Sequence, residues 1–175
     1  MRQLKQITGI AVVFSAVLLA THSAALADTS REQASVDRAM GFGASVIAPH
    51  ATVPEEVATR IRIVYGQGDR VVAELADAST LVVAEVSWEP GGTTGWHTHP
   101  GPVLVNVTEG ALEVVNARDC VSRRYEAGQA FIDPGQGNVH AAMNASDTDR
   151  AAAIATFLGV PDGGAPTQWV APVEC

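Results

Sequence analysis

From Arg60 to Leu158 the sequence breaks into short runs rich in Val, Ile and Ala, closed at roughly ten-residue intervals by clusters of Gly, Pro, Asp and Asn. That rhythm leaves little room for helices, because each run ends at turn residues before three helical turns could form. The runs are Ile61–Tyr65, Arg70–Leu75, Leu81–Trp88, Val103–Thr108, Leu112–Asn116, Val121–Tyr125, Ala130–Asp133, Val139–Asn144 and Ala151–Leu158. They predict an all-β single domain, a sandwich or a barrel, with Pro161 to Pro166 as an exit loop leading to Trp169. Residues 28–62 have no such rhythm and read as a partly irregular extension. Within it, Ser30 to Met40 has helix-compatible composition, and Pro54-Glu55-Glu56 could open a short helical turn.

Strand side chains alternate between faces. His97 and His99 therefore share one face, as do Val103, Val105 and Val107 if Pro100-Gly101-Pro102 keeps the register. Asn138, His140, Ala142 and Asn144 share a face of a later run. Two strands can thus present His97, His99 and His140 to one interior. Three neutral imidazoles suit one divalent first-row ion (Fe, Mn, Ni, Cu or Zn) with coordination positions left for water or substrate. The plainer alternative for any one histidine is a satisfied core or surface residue. His50 has no partner in sequence and reads as the latter.

The start of the chain has another character. Arg2 and Lys5 precede an apolar run from Ile7 to Ala20, and Ala25-Leu26-Ala27 offers small residues to a signal peptidase. This is the layout of a secretory signal peptide over residues 1–27, with an uncleaved anchor as the alternative. Cleavage would make Asp28 the first residue of an exported or periplasmic protein. It also removes two of the 11 basic residues, leaving nine against 19 acidic ones, a charge of −10. So acidic a surface repels nucleic acid and anionic membranes. The mature chain retains two cysteines, Cys120 and Cys175, which in an exported protein read first as a disulfide. A redox-active or metal-binding pair is the weaker reading, since neither a Cys-x-x-Cys spacing nor an adjacent histidine is present.

Two ordered motifs carry a resemblance to the cupin superfamily. The first of that family's motifs has glycine, five residues, His-x-His, three or four residues, glutamate, six residues and glycine. Here Gly91, His97, His99 and Gly110 fit. The second has glycine, five residues, Pro-x-Gly, two residues, histidine, three residues and asparagine. Gly128, Pro134, His140 and Asn144 fit, with Gly137 one residue late. The resemblance implies a double-stranded β-helix, or jelly-roll, barrel over residues 63–175. It implies a metal site at His97, His99 and His140, and it makes a homodimer through strand edges an expectation. The family's metal-binding glutamate is missing: Val103 stands at its position, or Leu104 with the longer spacing. That departure argues against oxalate oxidase or decarboxylase chemistry and leaves a bound ion more electropositive.

Around the triad, Trp96, Val103, Gln136, Asn138 and Asn144 are expected at the pocket. Core packing is the equal alternative for Trp96, and closing a turn is the stronger one for Asn144. Asp133 before Pro134 reads as a turn former, Gly91-Gly92 as a turn before the metal strand, and Arg123-Arg124 as solvated. Two functions remain open. One is a small-molecule enzyme, of dioxygenase or isomerase type, using a three-histidine centre. The other is a non-catalytic barrel that holds a metal or a small ligand. Substrate and metal identity are not legible.

Overall fold

The computed structural model describes residues 38–66 and 68–175, so the signal-peptide expectation and the first part of the extension lie outside the described residues. Among the described residues there is no helix. Twelve strands follow in order: β1 (Arg38–Thr52), β2 (Thr59–Val64), β3 (Arg70–Leu75), β4 (Thr80–Gly95), β5 (His97–Thr98) and β6 (Val103–Glu109). Then come β7 (Ala111–Asn116), β8 (Ser122–Glu126), β9 (Ala130–Asp133), β10 (His140–Met143), β11 (Ala151–Leu158) and β12 (Gln168–Trp169). Every apolar run picked out by spacing contains or overlaps a strand. The architecture is all-β, a nearly closed barrel sheet with a separate β2–β3 hairpin.

β4 organises the barrel. Its first half pairs with β11 from Leu81 to Trp88 and with β1 on the other side, while its far end reaches β10 at Thr93. Between them lies Glu89-Pro90-Gly91-Gly92, where the strand bends from one side of the barrel to the other. A strand that changes sheets needs such a corner. Gly92 makes it possible, because a Cβ there would sit 2.6 Å from the Gly41 carbonyl oxygen. Gly91-Gly92 is thus a bend inside β4 and not a turn that ends it. One layer then runs β1, β4, β11, β6, β9 and the other runs β12, β5, β10, β7, β8.

The period-two pattern of β4, β6 and β11 fills the space between the layers. Val82, Ala84, Val86 and Trp88 of β4, Ala153, Ala155 and Phe157 of β11, and Val103, Val105 and Val107 of β6 lie side by side on the inner face of their layer. Small alanines on β11 let the layers approach where the larger valines and aromatics need room.

β1 is the principal departure from the sequence expectation. The described part of the extension opens with a 15-residue strand paired with β4, and neither a helix at Arg38–Met40 nor a helical turn at Pro54–Glu56 forms. Most of its side chains are exposed. Backbone pairing, more than burial, therefore holds β1 in place, and no alternation marks it. Its register slips around Pro49, which an edge strand accommodates because proline cannot donate to the ladder.

Cys120 and Cys175 are joined by a disulfide with a Cα–Cα distance of 5.3 Å. The bond ties the end of the chain to the loop between β7 and β8. Arg123 is not solvated: it pairs with Asp119 at 2.5 Å and stacks over the Tyr65 ring at 4.2 Å, whereas Arg124 is exposed beside Glu126.

Candidate metal centre

His97 and His99 flank Thr98, so alternation turns both imidazoles inward. His140 on β10 lies directly opposite His97 in the antiparallel ladder. The three ring centroids are 4.2 Å (His97–His140), 4.9 Å (His97–His99) and 5.3 Å (His99–His140) apart. One nitrogen from each ring lies within 4.8 Å of the others. All three residues are buried, with 5%, 6% and 3% of their surface exposed.

Each ring is held from behind. His97 Nδ1 is 2.9 Å from the Gly95 carbonyl oxygen, and His99 Nδ1 is 2.8 Å from that of Pro166. His140 Nδ1 is 2.8 Å from Asp133 Oδ2, a close pairing bent away from the line of an ideal ring N–H bond. In the tautomer with the proton on Nδ1, Nε2 of each ring is left with the free lone pair. This is the arrangement that fixes the tautomer of metal-binding histidines. Burial, reinforced by the neighbouring imidazoles His140 and His99, pushes His97 down to about 3. Burial likewise pushes His99 down to about 4. Both are therefore neutral at pH 7, the state a metal requires. The donor set fits a first-row divalent ion.

The triad opens on a cavity of about 50 Å³. Its walls are apolar and aromatic, with Phe42, Trp88, Phe131, Phe157 and Trp169 prominent. Val103 also lines it. At 1% exposure against 37% for Leu104, Val103 is the inward residue of the pair, so the position of the family's glutamate faces the cavity. Trp96, Gln136, Asn138 and Asn144, expected at the pocket, do not line it. Alternation sends Trp96 to the opposite face, where it borders the space beside the disulfide. Gln136 turns outward and donates to the Glu74 carbonyl oxygen, and Asn138 donates to that of Gly135. Asn144 closes a turn: it donates to the Asp149 and Glu89 carbonyl oxygens and accepts from the Ser146 N–H. His50 lies on β1 outside the lining.

The sequence reading missed four contributions. Asp133 is 4% exposed and contributes its carboxylate to the cavity wall. It does form a turn, accepting from the Gly135 N–H at 2.7 Å, but its other oxygen serves His140. Its inward aspect follows from alternation with Phe131, a signal present in the sequence. Burial pushes the Asp133 carboxyl up. The charge and hydrogen bond of His140 outweigh this, with help from His99 and the Gly135 N–H, and hold it below the ordinary carboxylate range. Phe42 arrives from β1. Thr94 hydroxyl accepts from Ala142 N–H and lies 2.9 Å from the Gly95 carbonyl oxygen. Trp169 pairs with His97 across β12 and β5, and its indole N–H donates to the Thr94 carbonyl oxygen at 3.1 Å.

Residues 84–157 match the cupin domain family, a span that runs from β4 to β11 and includes all three histidines. Similar solved structures include a cupin-like protein from Thermotoga maritima, 28% identical over 54% of this chain and 67% of that one, with a TM-score of 0.45. Another is a Cupin 2 conserved barrel domain protein from Salinispora arenicola, 19% identical over 68% of this chain and 77% of that one, also with a TM-score of 0.45. No curated protein matches the chain.

Proposed function

We propose that this chain is an exported, metal-dependent cupin enzyme that acts on a small molecule at its three-histidine centre, in the manner of a dioxygenase or isomerase. One observation carries the reading: three buried imidazoles converge, with the Nδ1 of each within 3 Å of an oxygen atom behind it. A divalent ion there would act as a Lewis acid on a coordinated substrate.

The protein's own residues then restrict what can bind. Among the described residues the lining includes neither arginine nor lysine. Thr94 and Asp133 already have their oxygens engaged within the fold. A sugar or polyol would leave its hydroxyls unpaired among Phe42, Trp88 and Phe157, at a cost of about 1–3 kcal/mol each. The site suits a compact ligand with one metal-binding donor group and an apolar remainder, and the aromatic walls exclude water around it. Export is supported by the signal-like residues 1–27 and by the Cys120–Cys175 disulfide.

A second reading, a non-catalytic barrel that holds metal or ligand, is favoured by one observation. Among the described residues the cavity's single carboxylate, Asp133, has both oxygens occupied and is poorly placed to act as a general base. Elemental analysis of tag-free exported protein, followed by oxygen-uptake and product screens with small thiols, enols and short carboxylates, separates the two. We expect about one transition-metal ion per chain and turnover of one such class. A chain without metal sinks both forms of the metal reading, and metal without turnover leaves the binding barrel. N-terminal sequencing of the same material should begin at Asp28; a start at Met1 removes the export argument.

A further inference from the structure

The position where a cupin metal site carries its glutamate is occupied here by Val103, which faces the cavity and is 1% exposed. Directly across the ladder, β6 pairs Val103 with Asp133 of β9. Side chains opposite one another in an antiparallel pair share a face and lie about 5 Å apart at Cβ. Among the described residues, the cavity lining has no other carboxylate. The negative charge missing from position 103 is therefore present one strand away.

The carboxylate is held rigidly. Oδ1 accepts the Gly135 N–H at 2.7 Å, and Oδ2 lies 2.8 Å from His140 Nδ1. Gly135 has φ +59°, and a Cβ on it would sit 2.0 Å from the Gly101 carbonyl oxygen. The next residue, Gln136, donates its N–H to the His99 carbonyl oxygen at 2.8 Å. One turn thus fixes the acid behind His140 and the backbone of His99. A carboxylate buried this deeply is tolerated only when paired and hydrogen-bonded, and here the partner is a ligand imidazole.

We propose that Asp133 is a positioning residue that takes over, through His140, the anionic role of the absent glutamate. This rests on reading the triad as a metal site. The carboxylate keeps the His140 proton on Nδ1 and directs the Nε2 lone pair at the ion. It also makes that imidazole a stronger donor than a carbonyl partner could. The site keeps a negative charge nearby while leaving the coordination position at 103 vacant.

The test is calorimetric titration of Zn(II) into metal-stripped full-length protein in four forms: wild type, Asp133→Asn, Val103→Glu and the double variant. Asparagine keeps an oxygen for the Gly135 N–H, so the turn persists while the charge is lost. Asp133→Asn should weaken binding about 10–100-fold. Val103→Glu should tighten it, and the double variant should recover most of the loss, since a charge restored at 103 replaces one removed at 133. Asp133→Asn binding within about twofold of wild type would overturn the proposal. So would a double variant as weak as Asp133→Asn while Val103→Glu alone binds more tightly. Wild type that binds no zinc overturns this proposal together with the metal reading beneath it. A measurement needing no variant is the nitrogen-15 NMR of the histidines in zinc-loaded wild type. His140 should carry its proton on Nδ1, with a proton resonance further downfield than those of His97 and His99, whose partners are neutral carbonyls. Three indistinguishable Nδ1–H signals also overturn the proposal.

Discussion

Acid should destabilise the metal-free protein well above the pH at which carboxylates protonate. His97 is held at about 3 and His99 at about 4, chiefly by burial, against 6.5 for an unperturbed histidine. The unfolded chain binds protons at these positions that the native chain refuses, so stability rises with pH through this window. The histidine contribution is complete above about pH 6.5 and is lost as the pH falls toward 4. At about pH 5 each histidine removes about 2 kcal/mol relative to about pH 7.5, or about 4 kcal/mol together, a large share of an ordinary domain's stability. Asp133 acts in a different window. Its carboxyl lies below the ordinary range, so its contribution is present above about pH 4 and disappears only as the pH falls through its folded value. Urea unfolding of chelator-treated protein at about pH 7.5 and about pH 5 measures the difference, and His97→Gln should remove about half of it. Saturating metal at neutral pH should add stability that the same chelator abolishes. If stability differs by less than about 1 kcal/mol between the two pH values, the imidazoles are not buried in their neutral form.

Single replacement of His97, His99 or His140 by alanine should strip most of the metal, whereas His50→Ala should leave it bound, as elemental analysis of dialysed protein will tell. Replacing Cys120 and Cys175 together by serine should lower the unfolding free energy by about 4 kcal/mol, read as a drop of roughly 10–20 °C in melting temperature with metal stoichiometry unchanged. Gly135→Ala should cost at least about 2 kcal/mol in urea unfolding and weaken metal binding. Its Cβ would meet the Gly101 carbonyl in a turn that holds both Asp133 and the His99 backbone.

The strands that bury one face were legible because their side chains alternate. Val103, Val105 and Val107 announce β6, and the same arithmetic brings His97, His99 and His140 together. β1 was not legible, because Gly41, Gly43, Ala44 and Ser45 bury almost nothing and its stability comes from hydrogen bonds to β4. The pocket walls were hidden for a related reason. Phe42 comes from that unmarked strand, and Trp169 comes from a two-residue strand whose register depends on the long excursion after Leu158. Trp96 was misplaced by adjacency: a neighbour in sequence on a strand is on the opposite face in space. Asp133 was read for its turn and not for its second oxygen, although alternation with Phe131 already aimed it inward.

The provenance of the groups around His99 introduces an order in time. All three ligand histidines are made by residue 140, whereas the carbonyl that orients His99 belongs to Pro166 and the indole paired beside His97 belongs to Trp169. A ribosome delivers the ligands first and their restraints later. Until that later segment is in place, His99 Nδ1 lacks the oxygen neighbour that it has in the folded chain. The surroundings of the triad are therefore complete only when β12 pairs with β5, after most of the barrel has been synthesised.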